Sequence, residues 1–76
     1  MTNINPDKLI KGEPYLIEFG KNFCVGFFYS GSKHHITFTK DKFIKMFGVI
    51  LLNDSFGFRT QKIKSLIHLK RGEVIK

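Results

Sequence analysis

The chain has 76 residues, a single cysteine, and 13 Lys and Arg against six Asp and Glu, for a formal net charge of +7. That length holds one domain, which buries about 60–65% of the surface its unfolded form exposes, and one cysteine excludes an internal disulfide. The longest uncharged apolar run, Met46 to Leu52, is far short of a membrane span, and the opening MTNINPDKLIKG carries no apolar signal-peptide core.

The charge is lopsided. Residues 1–38 carry four Lys against Asp7, Glu13 and Glu18, a net of +1. Residues 39–76 carry seven Lys, Arg59 and Arg71 against Asp41, Asp54 and Glu73, a net of +6. A basic half suits an anionic partner, whether nucleic acid, an acidic protein surface or a phosphorylated small molecule, and also fits a plain solvated lysine surface. The unpaired thiol suits a reducing, cytoplasmic setting. Nine Phe and no Trp suggest a thin core filled by large aromatics.

Asn5-Pro6-Asp7 is a helix start, with a favoured N-cap, a proline at the first turn and an acid at the positive end of the dipole. Gly12 and Pro14 stop it, so the expected helix is Pro6 to Lys11, anchored by Leu9 and Ile10. Tyr15 to Ser30 then reads as a hairpin turning at Gly20-Lys21-Asn22. Tyr15, Ile17 and Phe19 share one face of the first run. In the second, Phe23, Val25, Phe27 and Tyr29 share a face opposite Cys24, Gly26 and Phe28, and Val25 and Phe27 are expected in the core. Cys24, mid-strand, reads as a small buried hydrophobe. After the turn Ser30-Gly31-Ser32-Lys33, His34 to Thr39 forms a third strand with Ile36 and Phe38 inward.

Lys40 to Phe47 is ambiguous. Asp41 can cap a short helical turn ending at Gly48, or Phe43 to Leu52 can form one strand bulged at Gly48; the first is favoured. Val49 to Leu52 follows as a buried strand, Asn53-Asp54-Ser55 turns, and Phe56-Gly57-Phe58 starts back. Ile63 to Leu69 places Ile63, Ile67 and Leu69 on one face, with Lys62, Lys64, His68 and Lys70 mostly on the other. The expected fold is a mainly β, five-stranded bent barrel in one domain, residues 1–76, with a short N-terminal helix and a helical turn between strands three and four.

Two stretches resemble the Sm-like barrel family. Gly26-Phe27-Phe28 is similar to its Gly-x-Leu in strand two, and Phe58-Arg59-Thr60-Gln61-Lys62-Ile63 keeps the spacing of its Ile-Arg-Gly-x-x-Ile. The resemblance implies rings of six or seven subunits that bind uridine-rich RNA, with the arginine of the second motif at the pore. Only Arg59 carries over. The Asp and Asn of the first motif are absent, His34 and His35 lie roughly where Met and Asn would, and Thr60 stands in place of the Gly.

Two sets of residues are candidates for contact with an anion. Ser30 to His35 combines backbone N–H groups, hydroxyls, Lys33 and the imidazoles of His34 and His35, able to hold a phosphate or stack on a base. Arg59, Lys62 and Lys64, with Lys70 and Arg71, form the second; Lys62, Lys64 and Lys70 share strand parity and would make a stripe along a phosphate backbone. Neighbouring histidines in a strand point apart, so His34 and His35 make a poor chelate, with His68 as a possible third ligand. No carboxylate pair, Ser-His-Asp order or phosphate loop is present, so neither an enzyme nor a cofactor is expected. The reading is a small nonenzymatic protein binding RNA or single strands, as a homo-oligomer and away from membranes. The alternatives are a phage- or plasmid-encoded interaction module that inhibits a host or defence enzyme, or a protein that sequesters an anionic nucleotide signal.

Overall fold

The computed structural model describes residues 4–41, 44–46, 49–51 and 54–75, without the side chains of 44–46 and 49–51. Strands β1 (Pro14–Phe19), β2 (Asn22–Gly31), β3 (His35–Thr39), β4 (Ile44–Met46), β5 (Val49–Leu51), β6 (Ser55–Arg59), β7 (Ile63–His68) and β8 (Glu73–Ile75) follow one another, with 3-10 turns at Pro6–Lys8 and Thr60–Lys62. Six of them make one antiparallel sheet in the order β6-β3-β2-β1-β7-β8, and β4 pairs with β5 separately. The mainly β class holds. The large sheet has six strands where five were expected, and it is not closed on itself by hydrogen bonds.

The sheet is nevertheless rolled. In a flat sheet β6 and β7 would lie four strand spacings apart, about 19 Å. They are joined by one 3-10 turn of three residues, Thr60–Lys62, which spans only about 6 Å. Phe19 on β1 and Phe58 on β6, three strands apart, meet with ring centroids at 4.7 Å. Both contacts require the sheet to curl around its own interior. Tyr15, Ile17, Ile36, Phe38 and Leu66 fill that interior with no exposed surface, and Phe28 and Ile63 join them. β2 bends where its register with β3 shifts between Phe28 and Ser30, as a bulge does.

The hairpin corrects the expected inward face of β2. Phe19 pairs directly with Asn22, so the turn is the two-residue Gly20-Lys21, with Gly20 at φ 56°. Positive φ at the first central position alone is the pattern of a type II′ turn, which suits the twist of a hairpin. Relative to a three-residue turn this moves the register by one, which turns every side chain of the strand over. Tyr15 now faces Gly26 and Ile17 faces Cys24, so Cys24, Gly26 and Phe28 point inward. Phe23 is 61% and Val25 49% exposed. Gly26 is required where it lies: a Cβ there would stand 2.8 Å from both Phe38 Cβ and Phe56 Cζ.

A second parity change occurs in β7. Glu18 pairs with Ser65 and Phe19 with Ile63, so Lys64 is an inserted residue. Beyond this bulge Leu66 and His68 turn inward with Ile63, whereas Ile67 and Leu69 turn out. His68, expected on the outer face, is 2% exposed and stacks on Tyr15 at 4.8 Å between centroids. Lys62 lies in the 3-10 turn and Lys70 beyond the strand, so no lysine stripe of common parity exists.

At the N-terminus, Asn5 caps as expected, its Oδ1 accepting from the Asp7 N–H at 3.0 Å. The helix closes after three residues because Leu9 adopts extended backbone and enters the core, leaving Ile10 41% exposed. Between β3 and β6, Ile44–Met46 pairs with Val49–Leu51 as a hairpin, Met46 opposite Val49, replacing both the helical turn and the single bulged strand. The β-branched residues Ile44, Val49 and Ile50 favour that outcome; Lys42, Phe43, Phe47, Gly48, Leu52 and Asn53, which those expectations also covered, lie outside the described residues. β7 is flanked by β1 and β8. The edges of the large sheet are β6 and β8.

Candidate nucleic-acid interface

β2 ends at Gly31 and β3 begins at His35, so Ser32, Lys33 and His34 form the connecting turn, closed by the Ser32 N–H donating to the His35 carbonyl at 2.7 Å. On the neighbouring strand, β6 ends at Arg59 and runs directly into Thr60–Lys62. Thr60 joins the two. Its N–H donates to the His34 carbonyl at 2.9 Å, and its Oγ1–H donates to the Lys33 carbonyl, also at 2.9 Å. Thr60 is only 5% exposed, so its donors are largely screened from water while the turn they hold remains exposed. Two polar segments that are 27 residues apart in sequence are thereby held as one surface.

His35 and Arg59 are direct cross-strand partners, so their side chains leave the sheet side by side. The imidazole of His35 lies over Gly57, and a Cβ at that position would collide with His35 Cε1 and approach the Ile36 carbonyl to 3.2 Å. Glycine thus lets an exposed ring rest against the strand. Arg59, Lys33, His34 and Lys62 are exposed around it. Among the described residues none of Lys33, Arg59, Lys62 and Lys64 is paired with a carboxylate; Glu13 pairs with Lys70 at 2.9 Å, and its Oε1 lies 3.7 Å from His68 Nε2. The Lys70 ammonium beside Glu13 holds that carboxyl below its ordinary range, against a smaller opposing effect of burial.

Five of the six expected contact residues (Lys33, His34, His35, Arg59 and Lys62) therefore gather around Thr60. Lys64 is exposed at the β7 bulge, beyond the buried Ile63, and belongs to the same end of the sheet without sharing those contacts. Lys70 is engaged by Glu13 and stands apart. Phe56 and Phe58 pack on the core, so neither is a free stacking ring; stacking at this surface falls to the histidines and Arg59. His68 is buried beside Tyr15 of β1, and among the described residues no three His, Cys, Asp or Glu side chains converge on a metal position. Burial raises the Cys24 thiol, which leaves it less nucleophilic.

Sequence reading passed over Thr60 and Gly57. The signal for Thr60 was its place where the resembling motif has glycine: a hydroxyl there has a backbone carbonyl to reach. Gly57 between two phenylalanines carried a weaker sign of close approach. Comparison with protein-family models, with curated proteins and with solved structures finds no match to this chain.

Proposed function

We propose that this protein is a small, nonenzymatic, single-strand nucleic-acid-binding protein, RNA favoured, and that its rolled sheet is an Sm-like small barrel. The double hydrogen bond from Thr60 to the 33–34 turn carries the reading, because it merges two cationic segments into one surface rich in donors and free of paired carboxylates. A four-strand meander β1-β2-β3-β6 that passes through a 3-10 turn and returns a strand beside β1 supports the barrel. Phosphates would meet Lys33, Lys62 and Arg59, and an unpaired base would stack on His35 or the Arg59 guanidinium. No helix among the described residues is long enough to read a major groove, which disfavours sequence-specific duplex binding. Assembly into a homo-oligomer is part of the proposal. On β6 the bonds Thr60 N–H to His34 and Lys40 N–H to Asp54 fix the phase of the ladder, so the peptide groups of Ser55, Gly57 and Arg59 point to the free edge. The test is fluorescence anisotropy with labelled single-stranded RNA and a duplex at 150 mM salt. The proposal expects single strands to be preferred; single-strand affinity weaker than about 100 μM, the level of nonspecific contact, removes its support.

One observation favours a second reading, a protein-interaction module. Val25, Leu16, Ile67 and Val74 form a continuous cross-strand row over β2-β1-β7-β8 on the outer face, flanked on β2 by Phe23 and Phe27. Glu18, on that face, accepts a hydrogen bond from the Ser65 hydroxyl. An exposed apolar face of this kind suits a protein partner better than a phosphate backbone. A salt-tolerant complex with one protein, abolished by Val25→Asp and insensitive to nuclease, would establish that reading in place of the first.

A further inference from the structure

A cavity of about 360 Å³ opens beside the cationic surface, between the N-terminal 3-10 turn and the end of β2, lined by Ile4, Asn5, Pro6, Asp7, Ser32 and Lys33. Close approach builds it: a Cβ on Gly31 would stand 2.8 Å from Pro6 Cβ, so glycine allows the turn to sit against the strand. Its floor is the apolar Ile4 and Pro6. Its charged groups are of opposite sign, the Lys33 ammonium and the Asp7 carboxylate, beside the polar Asn5 and Ser32, and among the described residues neither charged group has an ion-pair or side-chain hydrogen-bond partner. The cap hydrogen bond uses the Asp7 backbone N–H, held by Asn5, and not its carboxylate.

An unpaired carboxylate on the path of a polyanion is unfavourable unless the ligand offers it a hydrogen-bond donor. A carboxylate only accepts. Along a nucleic-acid backbone the donor that recurs at every residue is the ribose 2′-hydroxyl, which DNA lacks. The volume is at the small end of ligand sites, with room for one sugar-phosphate unit against an apolar wall. We infer that this cavity takes one ribonucleotide of a bound strand, with the phosphate on Lys33 and the 2′-hydroxyl donating to Asp7, and so makes the protein select RNA over DNA.

This assignment rests on the single-strand reading above, and one experiment separates the two. Anisotropy titrations at fixed salt compare RNA and DNA oligonucleotides of the same sequence against wild type and Asp7→Ala, with circular dichroism confirming that the variant folds. Wild type should bind RNA at least about tenfold more tightly, the low end for one hydrogen bond to a charged group. Asp7→Ala should weaken RNA by about that factor and leave DNA unchanged or tighter. Losing a negative charge would thus weaken binding to a polyanion. Equal wild-type affinities for RNA and DNA, or Asp7→Ala tightening both alike, would overturn the assignment and leave single-strand binding standing. No binding of either oligonucleotide would remove both.

Discussion

Replacing Phe28 and Val25 singly by alanine tests the orientation of β2, on which the rolled interior depends. Phe28 is 7% exposed and meets Phe38 edge to face at 6.2 Å, so its removal loses a buried ring and leaves a cavity. Such a change costs about 3–5 kcal/mol. A domain of this length has roughly 4–11 kcal/mol in all. With an unfolding entropy near 2.1 cal/mol/K per residue, each kcal/mol moves the melting temperature by about 6 °C, so Phe28→Ala should lower it by roughly 20–30 °C or prevent folding. Val25 is half exposed on the opposite face, and Val25→Ala should cost under about 1 kcal/mol. Urea and thermal unfolding followed by circular dichroism measure both. If Val25→Ala costs as much as Phe28→Ala, the hairpin register is wrong by one residue and the inward face is the other one.

Gly26→Ala places a methyl group against Phe38 and Phe56 and should destabilise by about 1–3 kcal/mol in the same assay, the cost of an overpacked core. Thr60→Val keeps the shape but leaves the Lys33 carbonyl without its side-chain donor; it should lose about 1–2 kcal/mol and weaken single-strand binding, and unchanged binding would show that the 33–34 turn needs no tether. Glu13 is held below its ordinary carboxylate range by Lys70, so it stabilises the fold above about pH 4.5, and that contribution is lost as pH falls through its depressed value. The urea midpoint of wild type should therefore fall more steeply on acidification below pH 4.5 than that of Glu13→Gln; parallel profiles would count against the pair.

Strand positions were legible because alternation is a strong local signal: Ile36 and Phe38 are buried as read, and Tyr15 and Ile17 share the face that the core takes. What failed was phase. The two-residue Gly20-Lys21 turn and the Lys64 bulge each shift a strand by one residue, and apolar residues on both faces of β2 gave no local means of detecting it. Val25 and His68 were misplaced for that reason alone. Leu9 ended the N-terminal turn early because burying its side chain outweighed three more helical residues, a tertiary effect that propensity does not register. At the candidate site, residue types were readable at Lys33, His34, His35, Arg59 and Lys62, but their proximity was not. It depends on Thr60, whose partner carbonyls lie across the sheet.

The salt dependence of single-stranded RNA affinity tests the merged cationic surface most directly. Wild type, Lys33→Ala/Lys62→Ala, Arg59→Lys and Lys70→Ala would be titrated at 50 and 150 mM salt. Each lost phosphate contact flattens the plot of log affinity against log salt by roughly 0.7, so the double variant should flatten it by about 1.4. Arg59→Lys should keep the slope and still lose affinity, because charge remains while the planar fork is gone. Lys70→Ala, already paired with Glu13, should change neither. A slope flattened as much by Lys70→Ala as by the double variant would mean that diffuse charge, and no surface organised by Thr60, holds the strand.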